Sequence, residues 1–402
     1  MGLKQKLHLL TSKFTIGNPI VFFAAIIVVI FGSLMVISAE MGNAVGDTQH
    51  LTSSIGKQTA YALIGILCLL ICTNLNIQRF SINFYWAIYI VVLGLLIITR
   101  FFGEINGAYA WISIGSATIQ PSEIAKAFMI AFGAKLLNET DENKLYENFK
   151  KYAIFSAVYF FVILAWQKDL GSAVVLAIIC YCILLVPSGK KIRTAQFWML
   201  VAIFVAVVGM AFALSPAFTN FLMEHDDNYM VGRFLASANP FLYQYDYGYH
   251  LIMSLASFAT GGLFGLGYGN SIHKYMNFPN PSSDFILPVI VEETGFVGFS
   301  ILISFYLVIM ISLAVYTFRT DRIDSRIILL GTFLYFVVHF ILNVGGVSGI
   351  IPLTGVPLLL VSSGGSSMAM SLAALGMSQH VIMRNKNAHN SRKIQKDTNQ
   401  NS

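Results

Sequence analysis

PIVFFAAIIVVIFGSLMVI (residues 19–37) holds no charged residue, and a run of this length crosses a bilayer as one helix, which takes about 20 apolar residues. It is longer than the apolar core of a cleaved signal peptide. With Lys4, Lys6 and Lys13 before it, it reads as a retained first span. The whole composition agrees: of 402 residues, 56% are apolar and 11% charged, against about 25% charged in a soluble domain. The 25 Lys+Arg and 19 Asp+Glu cannot coat a water-soluble globule of this size. Cys68, Cys72, Cys180 and Cys182 all sit inside apolar runs, as small core residues do, and not in a disulfide or metal-binding pattern.

Nine further runs follow, so the ten stand at about 19–38, 58–75, 82–99, 119–136, 152–166, 170–187, 195–215, 284–316, 327–347 and 366–384. The fold expected is all-α, a polytopic membrane protein of about ten transmembrane helices. Gln120, Glu123 and Lys126 interrupt the fourth run, and only Gln167, Lys168 and Asp169 separate the fifth from the sixth, which calls for a tight helical hairpin. With the N-terminus inside, 19 of the 25 Lys and Arg fall in inner segments, leaving Lys57, Arg100, Lys126, Lys168, Arg233 and Lys274. Residues 1–18 and 385–402 are then cytoplasmic, around a 19–384 membrane domain, and the polar, aperiodic 385–402 reads as a disordered tail. Between the seventh and eighth spans, 216–283 forms a large extracellular loop. It is too long to be structureless and is expected to hold short or re-entrant helices capping the bundle. The net charge of +6 is a topology signal and an attraction to anionic lipid heads, and calls for no nucleic acid.

Ionisable residues inside a membrane are costly and mark a cavity or pathway by default. Glu123 and Lys126 stand at i, i+3 on one helix face, where they form either a structural ion pair or part of a cavity wall. Asp169 opens the sixth span as DLGS, and helix capping alone explains it. Asp284 precedes the eighth span, and Pro288 removes the amide that would otherwise bond its carbonyl, so Asp284 reads either as an N-cap or as a functional carboxylate at the outer mouth of that helix. Glu292 lies roughly 12 Å deeper at 1.5 Å per residue and about 80° round from Asp284, so of the two following glutamates only it could share a cavity with Asp284. Glu293 faces another span, with Lys126 as one candidate partner. In GGLFGLGYGNS (261–271) the glycines read as close backbone packing and not as a phosphate loop. Arg233, His250, His273 and Lys274 flank it and suit a pyrophosphate or another lipid-linked anion, unless they pair with Asp226, Asp227 and Asp246. Trp111 is either an aromatic-belt residue or a support for a sugar ring.

WISIGSATIQPSEIAK (111–126), QKDLGSA (167–173), GYHLIMSLASFATGGLFGLGYGNSIHK (248–274), SDFILPVIVEETGFVG (283–298) and NVGGVSGIIPLTGVPLLLVSSGGSS (343–367) resemble, in order, the signature segments of the SEDS family of FtsW, RodA and SpoVE. The resemblance implies a peptidoglycan glycosyltransferase that polymerises lipid II on the outer face of the bacterial cytoplasmic membrane, in division or elongation, beside a class B penicillin-binding protein and other divisome or elongasome proteins. It makes Asp284 the essential aspartate and places Trp111, Glu123, Lys126 and Glu292 at the substrate site. Arg233, His250 and Lys274 are the basic candidates for the leaving pyrophosphate. GAYAWIS (107–113) and NVGGVSGIIPLTGV (343–356) incline towards the FtsW branch. The chain departs from the family pattern at Ala110, where a basic residue is common, at Lys168 within QKDLG, at His250, and at Leu359 and Ser363 in the last outer loop.

Two other functions use the same residues. The glycosyltransferase would take an undecaprenyl-pyrophosphate-linked glycan as donor and lipid II as acceptor, whereas a flippase would line a path for lipid II with Glu123, Lys126, Asp169 and Glu292, and a scaffold would only recruit the penicillin-binding protein. No certain cofactor is implied. A divalent cation, Mg or Mn, would take oxygen ligands such as Asp284 or Glu292, without a dedicated cluster in the sequence.

Overall fold

The computed structural model describes residues 16–105, 107–115, 117–213, 240–243, 248–276, 278 and 280–400. In chain order the helices are α1 (Pro19–Asn43), α2 (Thr48–Asn74), α3 (Ile82–Ile98), α4 (Pro121–Leu136), α5 (Glu142–Phe161), α6 (Leu170–Leu184), α7 (Lys190–Ala213), α8 (Tyr249–Gly261), α9 (Ile286–Arg319), α10 (Ile323–Val347) and α11 (Gly365–Gln400). A helix stands at each of the ten places expected for a span, and α8 lies within the outer segment. Among the described residues six helices are long and apolar enough to cross a membrane: α1, α2, α3 with its continuation to Phe102, α5 with its continuation to Trp166, α9 and α10. Ten helices in the expected places are therefore not by themselves ten crossings.

The starts of these helices are written in the sequence. Asn18 caps α1 by accepting from the Ile20 amide at 2.9 Å, with Pro19 in the first turn. Asp47, Ser81, Asp141 and Asp169 cap α2, α3, α5 and α6 in the same way. Two features differ from expectation. Residues 117–119 pair with 112–114 as a small antiparallel hairpin, β1 (Ile112–Ile114) and β2 (Ala117–Ile119), so α4 starts at Pro121. The expected disordered tail continues α11 as helix to Gln400, because no Gly or Pro after Gly376 interrupts it.

α4 is the central helix. Nearly all its residues are buried, which is how a helix carrying Glu123 and Lys126 stays inside an apolar bundle. Its Phe128 and Phe132 stack on each other and meet Tyr85, Trp86 and Tyr89 of α3. Tyr89 in turn stacks on Tyr159 of α5, ring centroids 4.6 Å apart.

α9 breaks at Gly295, where φ is +67° and ψ −173°. Backbone groups freed by a broken helix cannot be left bare in lipid. The glycine-rich segment after α8 takes them up: the Leu266 and Gly267 amides donate to the Glu292 and Glu293 carbonyls, both at 2.9 Å, and the Phe296 and Val297 amides donate to Gly262 and Leu263 at 2.9 and 3.1 Å. A Cβ on Gly295 would lie 2.4 Å from both the Gly265 nitrogen and the Leu263 oxygen, so the glycines serve close backbone packing, as the sequence suggested. Gly295→Ala is expected to lower the melting temperature of the detergent-solubilised protein by several degrees, from a cost of about 1–3 kcal/mol. Gly94→Ala, in a helix interior with nothing near the added methyl, is expected to leave it unchanged or slightly raised.

Candidate active site

Asp284 sits just before α9. Phe285, and not Asp284, occupies the N-cap position of the helix. With no amide at Pro288, the Asp284 carbonyl takes a hydrogen bond from outside the helix: Asn343 Nδ2 donates to it at 2.9 Å and to the Val356 carbonyl at 2.9 Å. The Asp284 carboxylate lies over Gly355, where an added Cβ would stand 3.5 Å from its Oδ2. Gly355 has φ +69°, a left-handed conformation that favours glycine. Ser362 Oγ and the Ser363 amide donate to the Ser283 and Ser282 carbonyls, both at 2.7 Å, and tie the last outer loop to the segment carrying Asp284.

Glu123 and Lys126 form a buried ion pair at 2.6 Å, and it is not a closed one. Tyr335 of α10 donates its hydroxyl to the second carboxylate oxygen of Glu123. Lys126 Nζ also meets His339 Nε2 at 3.2 Å, while His339 Nδ1 lies 3.1 Å from the Pro357 carbonyl. A carbonyl only accepts, so Nδ1 carries the ring proton and Nε2 presents its lone pair to the ammonium. Tyr335, His339 and Asn343 stand four residues apart on one face of α10. Two of them hold the 356–357 backbone, and through that turn the buried pair is joined to the seat of Asp284. Beside it, Gln120 donates to Asp169 Oδ2 at 3.0 Å, while Asp169 caps α6.

Glu292 and Glu293 belong to a second polar centre. Glu292 accepts from Ser271 Oγ at 2.5 Å and the Ile272 amide at 3.1 Å, and meets His273 Nδ1 at 2.7 Å. Glu293 pairs with Lys274 at 2.6 Å, and Ser38 of α1 donates to it at 2.6 Å. Lys126 is therefore not the partner of Glu293, and Glu292 braces the glycine-rich segment instead of sharing a cavity with Asp284. Lys274 is fully buried on Glu293 and does not face the membrane surface. The break at Gly295 brings these partners in, and spacing along an unbroken helix did not anticipate it.

Trp111 stands half-buried immediately before β1, and His250 stacks on Phe285, beside Asp284, with ring centroids 5.6 Å apart. Arg233 lies outside the described residues, as do Asp226, Asp227 and Asp246. Tyr335, His339 and Asn343 were missed in the sequence, although a polar residue at every fourth position of an apolar run was there to be read. Among the described residues no group of three or more His, Cys, Asp and Glu side chains is placed to hold a metal ion.

The family model described as a cell cycle protein, covering FtsW, RodA and SpoVE, matches residues 18–387. The chain is 27% identical to the stage V sporulation protein E of Bacillus subtilis over 382 residues, 92% of this chain and 97% of that one. It is 32% identical to a probable peptidoglycan glycosyltransferase FtsW of Pseudoalteromonas translucida, covering 89% of this chain and 87% of the relative. To the peptidoglycan glycosyltransferase RodA of Treponema pallidum it is 29% identical, over 82% and 89%. Among solved structures, one chain of a peptidoglycan synthase complex superposes with a TM-score of 0.66 at 25% identity, over 90% of this chain and 96% of that chain. RodA of Thermus thermophilus, at 22% identity and a TM-score of 0.59 over 90% and 95%, shares the fold. With nearly the whole length matched and the signature segments gathered around Asp284 and the Glu123 pair, the chain belongs to the FtsW, RodA and SpoVE family of multi-pass membrane proteins.

Proposed function

We propose that this chain is a peptidoglycan glycosyltransferase that polymerises lipid II on the outer face of the cytoplasmic membrane, with Asp284 as its general base. The observation that carries the reading is the seat of Asp284: a carboxylate at the mouth of α9, its carbonyl clasped by Asn343 and its Oδ2 lying over the backbone of Gly355. The names of the relatives support the reaction class. The GlcNAc 4-hydroxyl of lipid II attacks the anomeric carbon of the growing strand, and the new C–O bond forms as the bond to undecaprenyl pyrophosphate breaks. Asp284 takes the hydroxyl proton, help worth about 10²- to 10⁴-fold. Trp111 and His250 line the approach as sugar and phosphate contacts, and Arg233 is the cation for the departing pyrophosphate. Lys274, turned to Glu293, is a brace of the outer segment in this scheme.

Both termini lie in the cytoplasm, and the partner is a class B penicillin-binding protein in the division or elongation machinery. The solved complex that this chain resembles supports such a partner.

Three outcomes follow. Asp284→Asn is expected to cut polymer formation at least 10²-fold while expression and melting temperature stay unchanged. A variant with full activity would remove Asp284 from the chemistry.

Exchanging the ion pair (Glu123→Lys with Lys126→Glu) is expected to be as damaging as either single change. Reversal sets a carboxylate against the His339 lone pair and an ammonium against the Tyr335 hydroxyl, so the pair's neighbours are lost even though its attraction survives. Normal polymer yield from the exchanged protein would return Glu123 and Lys126 to a purely structural role.

Cysteine at Glu104 should react with an impermeant thiol reagent in intact cells, and cysteine at Thr140 should be shielded. The reverse labelling would put Asp284 on the wrong side of the membrane.

A further inference from the structure

The outer end of the bundle holds two cations that the ion pairs do not use. Of the six basic residues outside the inner segments, Lys126 and Lys274 are buried in ion pairs. Arg100 and Lys168 converge instead on one ring: Arg100 Cζ lies 4.6 Å and Lys168 Nζ 5.8 Å from the centroid of Tyr109. Among the described residues neither forms an ion pair.

The support around them is rigid. Arg100 also stacks on Trp166 at 5.0 Å, and its Nη1 donates to the Trp166 carbonyl at 2.8 Å. Trp166 Nε1 donates to Ile97, and buried Gln167 donates to Leu96 and Thr99. The Tyr109 amide donates to the Gln167 carbonyl at 2.7 Å, so the Tyr109 segment and the α5–α6 corner are one unit. Of the nearby acids, Asp169 is held by the Ser172 amide and Gln120, and Glu104, beside Tyr109, forms no ion pair with Arg100 or Lys168. The corner itself is irregular: residues Val162–Trp166 form a π-turn, and Lys168 has φ +57°, a conformation a non-glycine residue adopts only when its surroundings impose it. The exposed lysine thereby stands by the same ring as an arginine already held by two aromatic side chains. The guanidinium keeps donors beyond the one used on Trp166.

The corner also leads to Asp284. A Cβ on Gly171, in the first turn of α6, would lie 2.7 Å from the Thr354 carbonyl, and Gly355 beneath the Asp284 carboxylate is the next residue along.

We propose that Arg100 and Lys168, converging on Tyr109, bind the phosphate of a lipid headgroup at the outer rim of the site. Two sources carry that chemistry: a lipid-linked pyrophosphate reaching towards Asp284, which would deepen the glycosyltransferase reading, or an anionic phospholipid of the outer leaflet, which stands without it.

The test uses full-length protein in phosphatidylcholine nanodiscs carrying Arg100→Gln, Lys168→Gln, both, or Lys168→Arg, titrated separately with lipid II and with phosphatidylglycerol. Each charge removed is expected to weaken the phosphate ligand roughly fivefold, and Lys168→Arg is expected to retain it. A loss confined to lipid II identifies the lipid-linked pyrophosphate, and one confined to phosphatidylglycerol identifies the bilayer lipid. A loss of both identifies a site that takes either phosphate. Unchanged affinity for both lipids in the glutamine variants, at an unchanged melting temperature, overturns the proposal. So does a Lys168→Arg protein as weak as Lys168→Gln. Arg100→Gln loses a packed side chain and could unfold, whereas exposed Lys168→Gln keeps the test open by itself. Binding is read without polymer formation, so this result and the failure of the glycosyltransferase reading are separable.

Discussion

Lipid offers no partner to a polar group, so the buried charges of this bundle have to be answered from within the chain. The ammonium of Lys126 shows what that demands. It lies among apolar helices and is answered by Glu123 on its own helix and by His339 on α10. Glu123 needs a second donor and takes Tyr335, and His339 needs an acceptor for its other nitrogen and takes Pro357. One buried charge thereby fixes the rotation of α10 against α4 and the position of the turn after α10. That same turn, through Asn343 and Gly355, seats Asp284.

The second polar centre follows the same rule by another route. Where α9 breaks at Gly295, the glycine-rich segment supplies the missing backbone bonds, and Glu292 and Glu293 draw in His273, Lys274 and Ser38. The outer segment is thereby fastened to α1 and α9. Of the carboxylates in and just before α9, Glu292 and Glu293 hold the scaffold, and Asp284 is the one proposed for the chemistry. Breaking a buried pair of this kind costs more than its presence contributes, because a lone charge is left in an apolar interior.

The places of the helices were legible because a crossing helix needs a long apolar run and little else; two starts were not, since Asp47 and Asp141 cap α2 and α5 about ten residues before the apolar runs begin. Asp284 was legible through Pro288, whose missing amide implied a carbonyl seeking a donor, although the donor itself, Asn343, lies 59 residues away. The partners of Glu292, Glu293 and Lys274 were not legible, since they depend on the helix break at Gly295 and on the segment bonded into it. The hairpin escaped because three-residue strands carry too little alternation to be seen against a membrane helix beside them. The four-residue repeat of Tyr335, His339 and Asn343 was present in plain sequence and marks the face of α10 that turns to the site.

The account makes this chain a polymerase and not a path or a platform. The measurement that bears on it most directly places the purified protein alone in sealed proteoliposomes containing labelled lipid II, and follows glycan polymer and leaflet exchange in the same vesicles. Polymer formed on the face that carries Asp284 is the predicted result. Exchange of lipid II between leaflets without polymer, or neither activity until another polymerase is added, would contradict it.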